Sequence, residues 1–221
     1  ARYKGRSRII AGGTDLLGAM KNRRLRPHYV IDINRIAALS GIAEESNGDL
    51  RIGAATKLST VVGSALIQER YPAICAAVGV IGSVQVRWTG TLGGNLCNAS
   101  PAADSPPALI ALGARANLLS QRGLRQMPVD EFIIGNGQTV LAEDECLERI
   151  VLPPPLPNSA SVVDHVARRD AMEDALVSVA ATVVLLPDSG AVDQVRIVLG
   201  GVGPRAFRAT QAEQVLSGHS P

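Results

Sequence analysis

Residues 9–21 read IIAGGTDLLGAMK: an apolar run, a pair of glycines, then a segment of helical periodicity. Ile9, Ile10 and Ala11 have the character of the end of a buried strand, Gly12 and Gly13 of a turn, and Thr14-Asp15 of a helix start. Leu16, Leu17 and Met20 recur at helical spacing, and Lys21 to Arg26 carry the polar end. A strand that feeds a helix through two glycines leaves several backbone N–H groups unpaired and directed into one concavity, with the helix dipole behind them. Such a concavity holds an anion. The plain alternative is a tight turn with Thr14 or Asp15 capping the helix.

Working outward, HYVIDI (28–33) reads as a second strand and LRIGAAT (50–56) as a third, entered through the turn SNGD. From Leu58 to Ile81 two apolar-periodic segments read as helices separated by Tyr71-Pro72, with Pro72 suited to a first helical position. SPPALIALG (105–113) predicts a compact helix with Ser105 as its cap and Gly113 past its end. RANLLS and LRQMPV flank QRG as a hairpin, and CLERIVLPPP carries a further strand. PPPLPNSAS (153–161) is the best linker; beyond it ALVSVAATVVLL, PDSG and AVDQVRIVLGGVG form a long hairpin before a terminal helix. Strands and helices mix without strict alternation, which predicts an α+β fold in two parts with a boundary near the proline run.

The 221 residues are 46% hydrophobic, 19% charged and 3% aromatic, with 22 Lys+Arg against 20 Asp+Glu. A net charge of +2 and so few aromatic side chains argue against nucleic acid as a partner. No apolar run approaches the roughly 20 residues of a membrane span, and nothing at the start resembles a secretory signal, so a cytoplasmic location is expected. Cys75, Cys97 and Cys146 are odd in number and widely spaced, unlike a disulfide framework or a metal site. His28, His165 and His219 are scattered, and Glu143, Asp144 and Glu145 read as a solvated turn. No catalytic constellation emerges from these residues. With Ala at position 1 and Pro221 just after a helix-like RATQAEQVLSG, both ends are expected to be cut short.

The second glycine pair lies in TGTLGGNLCNASPAAD (89–104). Thr89, Thr91, Asn95, Asn98 and Ser100 surround Gly90, Gly93 and Gly94 in a stretch too glycine-rich to be held by its own packing, which reads as a loop filled by a ligand. Two such loops are suited to grip one diphosphate from both sides through backbone N–H groups, with hydroxyl support from Thr14 and Thr91 and Asp104 accepting from ribose hydroxyls. A wide surface turn is the alternative. Neither pair is a GxGxxG fingerprint or a P-loop, which disfavours a Rossmann domain and phosphoryl transfer.

AGGTDLLGAMK, LRIGAAT, RWTGTLGGNLCNASPAADSPPALIALGA, GNGQTVLAEDECLERIVLP, ARRDAMEDALVSVAA and VRIVLGGVGP follow one another over essentially the whole chain. In this order they resemble the flavoprotein subunits of molybdenum hydroxylases, that is, the medium subunits of carbon monoxide dehydrogenase-like enzymes and the middle domain of xanthine dehydrogenase. The resemblance implies an FAD-binding domain of the vanillyl-alcohol-oxidase (PCMH) type over 1–155, with subdomains about 1–53 and 54–155. A CO dehydrogenase flavoprotein-type C-terminal α+β domain over 156–221, expected to be incomplete, would follow.

By position, the resemblance implies that Ala11, Gly12, Gly13, Thr14 and Asp15, with Leu16, and Thr91, Leu92, Gly93, Gly94 and Asn95 bind the pyrophosphate of a non-covalent FAD. Ser100 and Asp104 would sit by ribityl or ribose hydroxyls, Ile150 on the strand passing beside flavin or adenine, and Arg168 near the flavin, although solvated surface is the alternative for an arginine there. Where relatives usually carry lysine this chain has His165. A cysteine-rich cluster insertion found in one branch of the family is absent, since Cys97 runs directly into NASPAADSPPAL.

The implied role is electron transfer. A molybdopterin-binding large subunit would hydroxylate substrate, a small subunit with two-iron, two-sulfur (2Fe-2S) clusters would carry the electrons to this FAD, and an external acceptor would receive them. The alternatives are a self-contained flavin oxidase of the same superfamily, with Cys97 beside the second loop as a possible point of covalent attachment, and a nucleotide-binding module without redox turnover.

Overall fold

The computed structural model describes residues 5–169 and 172–220. The opening stretch folds as its pattern predicts: β1 (Ser7–Ile10) enters the glycine pair, α1 (Thr14–Lys21) follows, and β2 (Tyr29–Asp32) returns parallel to β1 with Ile10 opposite Asp32. After a short 3-10 turn at Ala37–Leu39 come β3 (Ile42–Glu44) and β4 (Leu50–Gly53), and these join a different sheet. Hydrogen bonding therefore changes sheets between Asp32 and Ile42, because β4 pairs with a strand about a hundred residues later.

The segment Leu58 to Ile81 forms three helices where two were expected: α2 (Leu58–Val62), α3 (Ala65–Arg70) and α4 (Pro72–Gly79). The extra break falls at Gly63-Ser64, where the Ser64 hydroxyl accepts from the Ile67 N–H and restarts the helix. α5 (Val84–Thr89) and α6 (Leu92–Asn98) follow, so the second glycine pair lies in the first turn of a helix and not in an open loop. α7 (Ser105–Ala111) is buried on every side, as its uninterrupted apolar sequence requires. Ser105 is its first residue and not its cap; the hydroxyl donates to Asn95 Oδ1 at 2.5 Å.

β5 (Arg115–Ser120) and β6 (Gly123–Pro128) form the expected hairpin, α8 (Val129–Phe132), β7 (Ile133–Gly135) and β8 (Gln138–Thr139) make a small excursion, and β9 (Cys146–Leu152) runs back through the sheet centre. The antiparallel order is β3-β4-β9-β5-β6. The acidic run before β9 is more than a solvated turn: Arg125 Nε and Nη2 each donate to the Glu145 carboxylate at 2.7 Å, which holds that carboxyl down at about 2.

The linker is shorter than the proline-rich run suggests, since β10 (Ser159–Val166) already takes up Ser159. β10, β11 (Val177–Leu185), β12 (Val192–Gly200) and β13 (Phe207–Arg208) form a second antiparallel sheet, closed by α9 (Thr210–Leu216) against β12. Ala180 and Val198 from this sheet belong to the same apolar core as Leu50, Ile52, Leu118 and Ile150 of the first. α7 packs on this second sheet, chiefly on β11 and β12, with α4, α6 and α8 against its other sides. Among the described residues no helix is long and apolar enough to cross a membrane.

Candidate cofactor-binding site

β1 and α1 deliver the first glycine pair as a tight bend. Gly13 adopts φ 75° and ψ 2°, a conformation that glycine enters without steric cost, and it occupies the helix cap position with no side chain to satisfy the first turn. Thr14 is the first helical residue and does not cap; its hydroxyl donates to Asp15 Oδ2 at 3.2 Å. Asp15 Oδ1 in turn accepts from Asn98 Nδ2 at 3.2 Å, so this carboxylate faces α6 and ties the two helices together. Among the described residues, the N–H groups of Gly12, Gly13, Thr14, Asp15 and Leu16 meet no acceptor. Five consecutive open donors at the positive end of a helix dipole fit the oxygens of a pyrophosphate.

The second glycine pair is built differently. Thr91 caps α6, its hydroxyl accepting from Gly94 N–H at 3.0 Å, while Leu92 N–H donates to Thr56 O, Gly93 N–H to Ala54 O and Asn95 N–H to Thr91 O, each at 3.0 Å. In this stretch only the Thr91 N–H stays open among the described residues. The pair therefore serves packing: a Cβ on Gly93 would lie 2.5 Å from Ala54 O, and the Leu92 side chain is wholly buried. The two segments meet at Gly12, where a Cβ would collide with Thr89 O and come within 2.7 Å of Gly90 Cα. The open donors thus lie mainly in the first loop, and the second forms a rigid wall beside it.

Two polar residues at this junction carry no local signal in the sequence. Lys57, just ahead of α2, donates to Thr89 O at 2.8 Å and to Asn34 Oδ1 at 3.3 Å; Asn34 Nδ2 donates to Ala11 O at 2.7 Å. Neither residue belongs to a glycine motif, and only the fold brings them between the two loops.

Beyond α6 the chain turns through Ser100 to Asp104, which is buried at the mouth of α7. Asp104, His165, Ser178, Val163 and Ala77 line a cleft of about 190 Å³ between α4 and the second sheet. Burial pushes the Asp104 carboxyl up to about 6, His165 pulling the other way and Asp174 adding to the rise. A buried carboxyl in a cleft is suited to accept from ligand hydroxyl groups. Two other expected positions lie away from this cleft. Ile150 is completely buried within β9, between Ile52 and Ala116, so its side chain belongs to the core. Arg168 projects into solvent past the end of β10, 4.0 Å from Glu173, and Asp170 and Ala171 in the same segment lie outside the described residues. Burial lifts the Cys97 thiol to about 12, with Cys146 adding to it, so the thiolate needed for covalent attachment is suppressed.

The raised Asp104 carboxyl makes the ligand-free chain pH-sensitive. The folded form keeps this proton up to about pH 6, the unfolded form only up to its ordinary 3.8, so between those values the folded form binds more protons. Stability accordingly falls as pH rises across this window, by about 3 kcal/mol for complete ionisation of the group. Thermal melting of the FAD-free chain is expected to be higher at pH 5 than at pH 7, and Asp104→Asn to raise the pH 7 value while weakening FAD uptake.

Comparison with known proteins places this geometry. The model of the FAD binding domain in molybdopterin dehydrogenase matches residues 1–155, and that of the CO dehydrogenase flavoprotein C-terminal domain matches residues 164–221. A xanthine dehydrogenase FAD-binding subunit of Escherichia coli O157:H7 is 34% identical over 209 residues, covering 94% of this chain and 71% of the relative. The carbon monoxide dehydrogenase medium chain of Hydrogenophaga pseudoflava is 32% identical over 212 residues, covering 96% and 72%. The solved carbon monoxide dehydrogenase of that organism superposes with a TM-score of 0.94 at 33% identity, over 100% of this chain and 75% of the other. Quinoline 2-oxidoreductase from Pseudomonas putida 86 gives 0.88 at 30% identity, over 97% and 73%. Both family models match in chain order and between them leave only residues 156–163 uncovered, and so the chain belongs to the FAD-binding subunits of the molybdenum hydroxylases, a family of oxidoreductases.

Proposed function

We propose that the chain holds FAD as a relay, receiving electrons from 2Fe-2S clusters of a small partner subunit, fed by a molybdopterin-binding large subunit, and releasing them to an external acceptor. The observation that carries this reading is the row of open N–H donors from Gly12 to Leu16, which suits a dinucleotide's pyrophosphate. FAD, when bound, supplies the redox chemistry. The chain's own residues bind and orient it. The first loop, with the Thr91 N–H, takes the pyrophosphate; Ser100 and Asp104 accept from hydroxyls farther along, one helix length away at the far end of α6. Gly94 and Asn95 shape the wall, their backbone N–H groups already donating to Thr91. Three cysteines are too few to ligate a four-thiolate cluster, which supports placing the clusters on a partner.

In the same reading residues 1–155 form the FAD-binding part and 156–221 the C-terminal part, and the assembly works in the cytoplasm. Purification of the native assembly is expected to yield iron, molybdenum and a flavin that acid releases and chromatography identifies as FAD. The lone chain is expected to bind FAD without oxidising the assembly's organic substrate. Release of FMN, or turnover by the lone chain, would overturn the proposal in favour of a different flavin site or a self-contained oxidase.

A further inference from the structure

Ala11 and Thr89 are the residues that bring the chain to the first glycine of each loop, and their carbonyl groups are joined by one hydrogen-bonded chain. Ala11 O accepts from Asn34 Nδ2 at 2.7 Å, Asn34 Oδ1 accepts from Lys57 Nζ at 3.3 Å, and Lys57 Nζ also donates to Thr89 O at 2.8 Å. Both ends of this chain are anchored in the fold. Asp32, at the end of β2 and opposite Ile10, accepts from the Asn34 N–H at 2.8 Å and from Asn34 Nδ2 at 2.7 Å, fixing the amide. These bonds, the backbone one first, hold the Asp32 carboxyl below its usual range. On the other side, Lys57 sits in a bridge to Thr91, with Leu58 N–H donating to Gly90 O and Leu92 N–H to Thr56 O, each at 3.0 Å.

The lysine is half-buried; among the described residues no carboxylate lies at ion-pair distance from its ammonium group, although its charge helps to lower the Asp32 carboxyl. A flexible, partly solvated lysine that nevertheless holds two fixed carbonyl and amide oxygens gives up side-chain freedom to define a geometry. The geometry here is the junction where Gly12 leaves no room for a Cβ beside Thr89 O. Apart from this tie and the Asn98–Asp15 hydrogen bond farther along the helices, the two loops meet through van der Waals contact at Gly12.

We infer that Lys57 and Asn34 are a positioning pair that sets the separation of the two glycine loops and thereby the affinity for FAD, an inference that rests on the FAD reading above. Neither residue is required to touch the cofactor: Asn34 aims the first loop through Ala11, and Lys57 pins the second through Thr89. Losing one charge-assisted hydrogen bond of this kind is expected to weaken FAD binding on the order of tenfold.

The test uses the full chain stripped of FAD, with FAD uptake titrated by fluorescence and the ligand-free melting temperature measured in parallel. Lys57→Met and Asn34→Ala are each expected to raise the FAD dissociation constant about tenfold, and the double variant no further than the larger single effect, because both cut one chain of bonds. Lys57→Arg, which keeps the donors, is expected to stay within about threefold of the parent. The melting temperature of Lys57→Met is expected to match the parent, which separates positioning from folding. Parent-like FAD affinity in Lys57→Met, equal losses in the methionine and arginine variants, or multiplying losses in the double variant would overturn the inference. A parent chain that takes up no FAD would remove the FAD reading first, and this one with it.

Discussion

A chain carrying Gly93→Val is expected to lose its fold together with its flavin. Gly93 sits in the first turn of α6 with its N–H on Ala54 O at 3.0 Å, and the added Cβ would lie 2.5 Å from that oxygen, 2.6 Å from Ala54 Cβ and 2.8 Å from Ala54 Cα. These are mostly backbone atoms, and Ala54 is itself fixed by its N–H on Glu148 O at 2.9 Å, so the strain passes into β9 at the centre of the larger sheet. Nothing flexible can yield. Overpacking against backbone at a buried site is expected to cost about 3–5 kcal/mol, a large share of the stability of an ordinary domain. The ligand-free variant should melt about 10 °C or more below the parent, or accumulate only as insoluble protein. A parent-like melting curve would show that α6 does not depend on this contact.

Gly13→Val is expected to do the opposite, sparing the fold and abolishing FAD binding. The Cβ would meet Ile10 Cδ1 at 2.9 Å and Leu17 Cδ1 at 3.2 Å, both ends of side chains that can turn away. The obstacle is the backbone: at φ 75° a β-branched residue is strained by about 1–2 kcal/mol, and relief requires the bend to open. Opening it redirects the N–H groups of Gly13 and Thr14, which then no longer converge on one anion. Flavin content after gel filtration should fall by more than about a hundredfold, given several charge-assisted hydrogen bonds lost together, while melting drops by only a few degrees. Gly13→Asn, which tolerates the left-handed conformation better, should retain part of the affinity. Full flavin content in Gly13→Val would remove the first loop from the cofactor site.

The contrast between these two glycines shows what the sequence could and could not convey. Around residues 9–21 the information is local: apolar strand, glycine bend and helix period lie within 13 residues, and the fold follows them. The second pair misleads, because two glycines in succession weaken helix propensity and only the packing of Gly93 on Ala54 overrides it. A signal was present in Thr91, three residues ahead of Gly94, the spacing of a helix cap. Long-range pairing left no comparable trace. That β4 belongs beside β9, that Ile150 faces the core and that Asp104 faces His165 across a cleft depend on residues far apart in the chain. Lys57 and Asn34 were invisible for the same reason, since a lysine before a helix and an asparagine after a strand are ordinary local choices.

Recognition through the main chain has a consequence for how this protein can change. The open donors from Gly12 to Leu16 are amide groups, which every residue except proline carries, whereas the side chains of Thr14 and Asp15 are spent on contacts within the protein. In the proposed FAD site, selection for the cofactor therefore presses on two glycines and leaves the next three letters free to drift under other demands. A directed-evolution library that keeps Gly12 and Gly13 and varies positions 14 to 16, proline excluded, should preserve most of its members as flavin binders while sampling new surfaces at the rim.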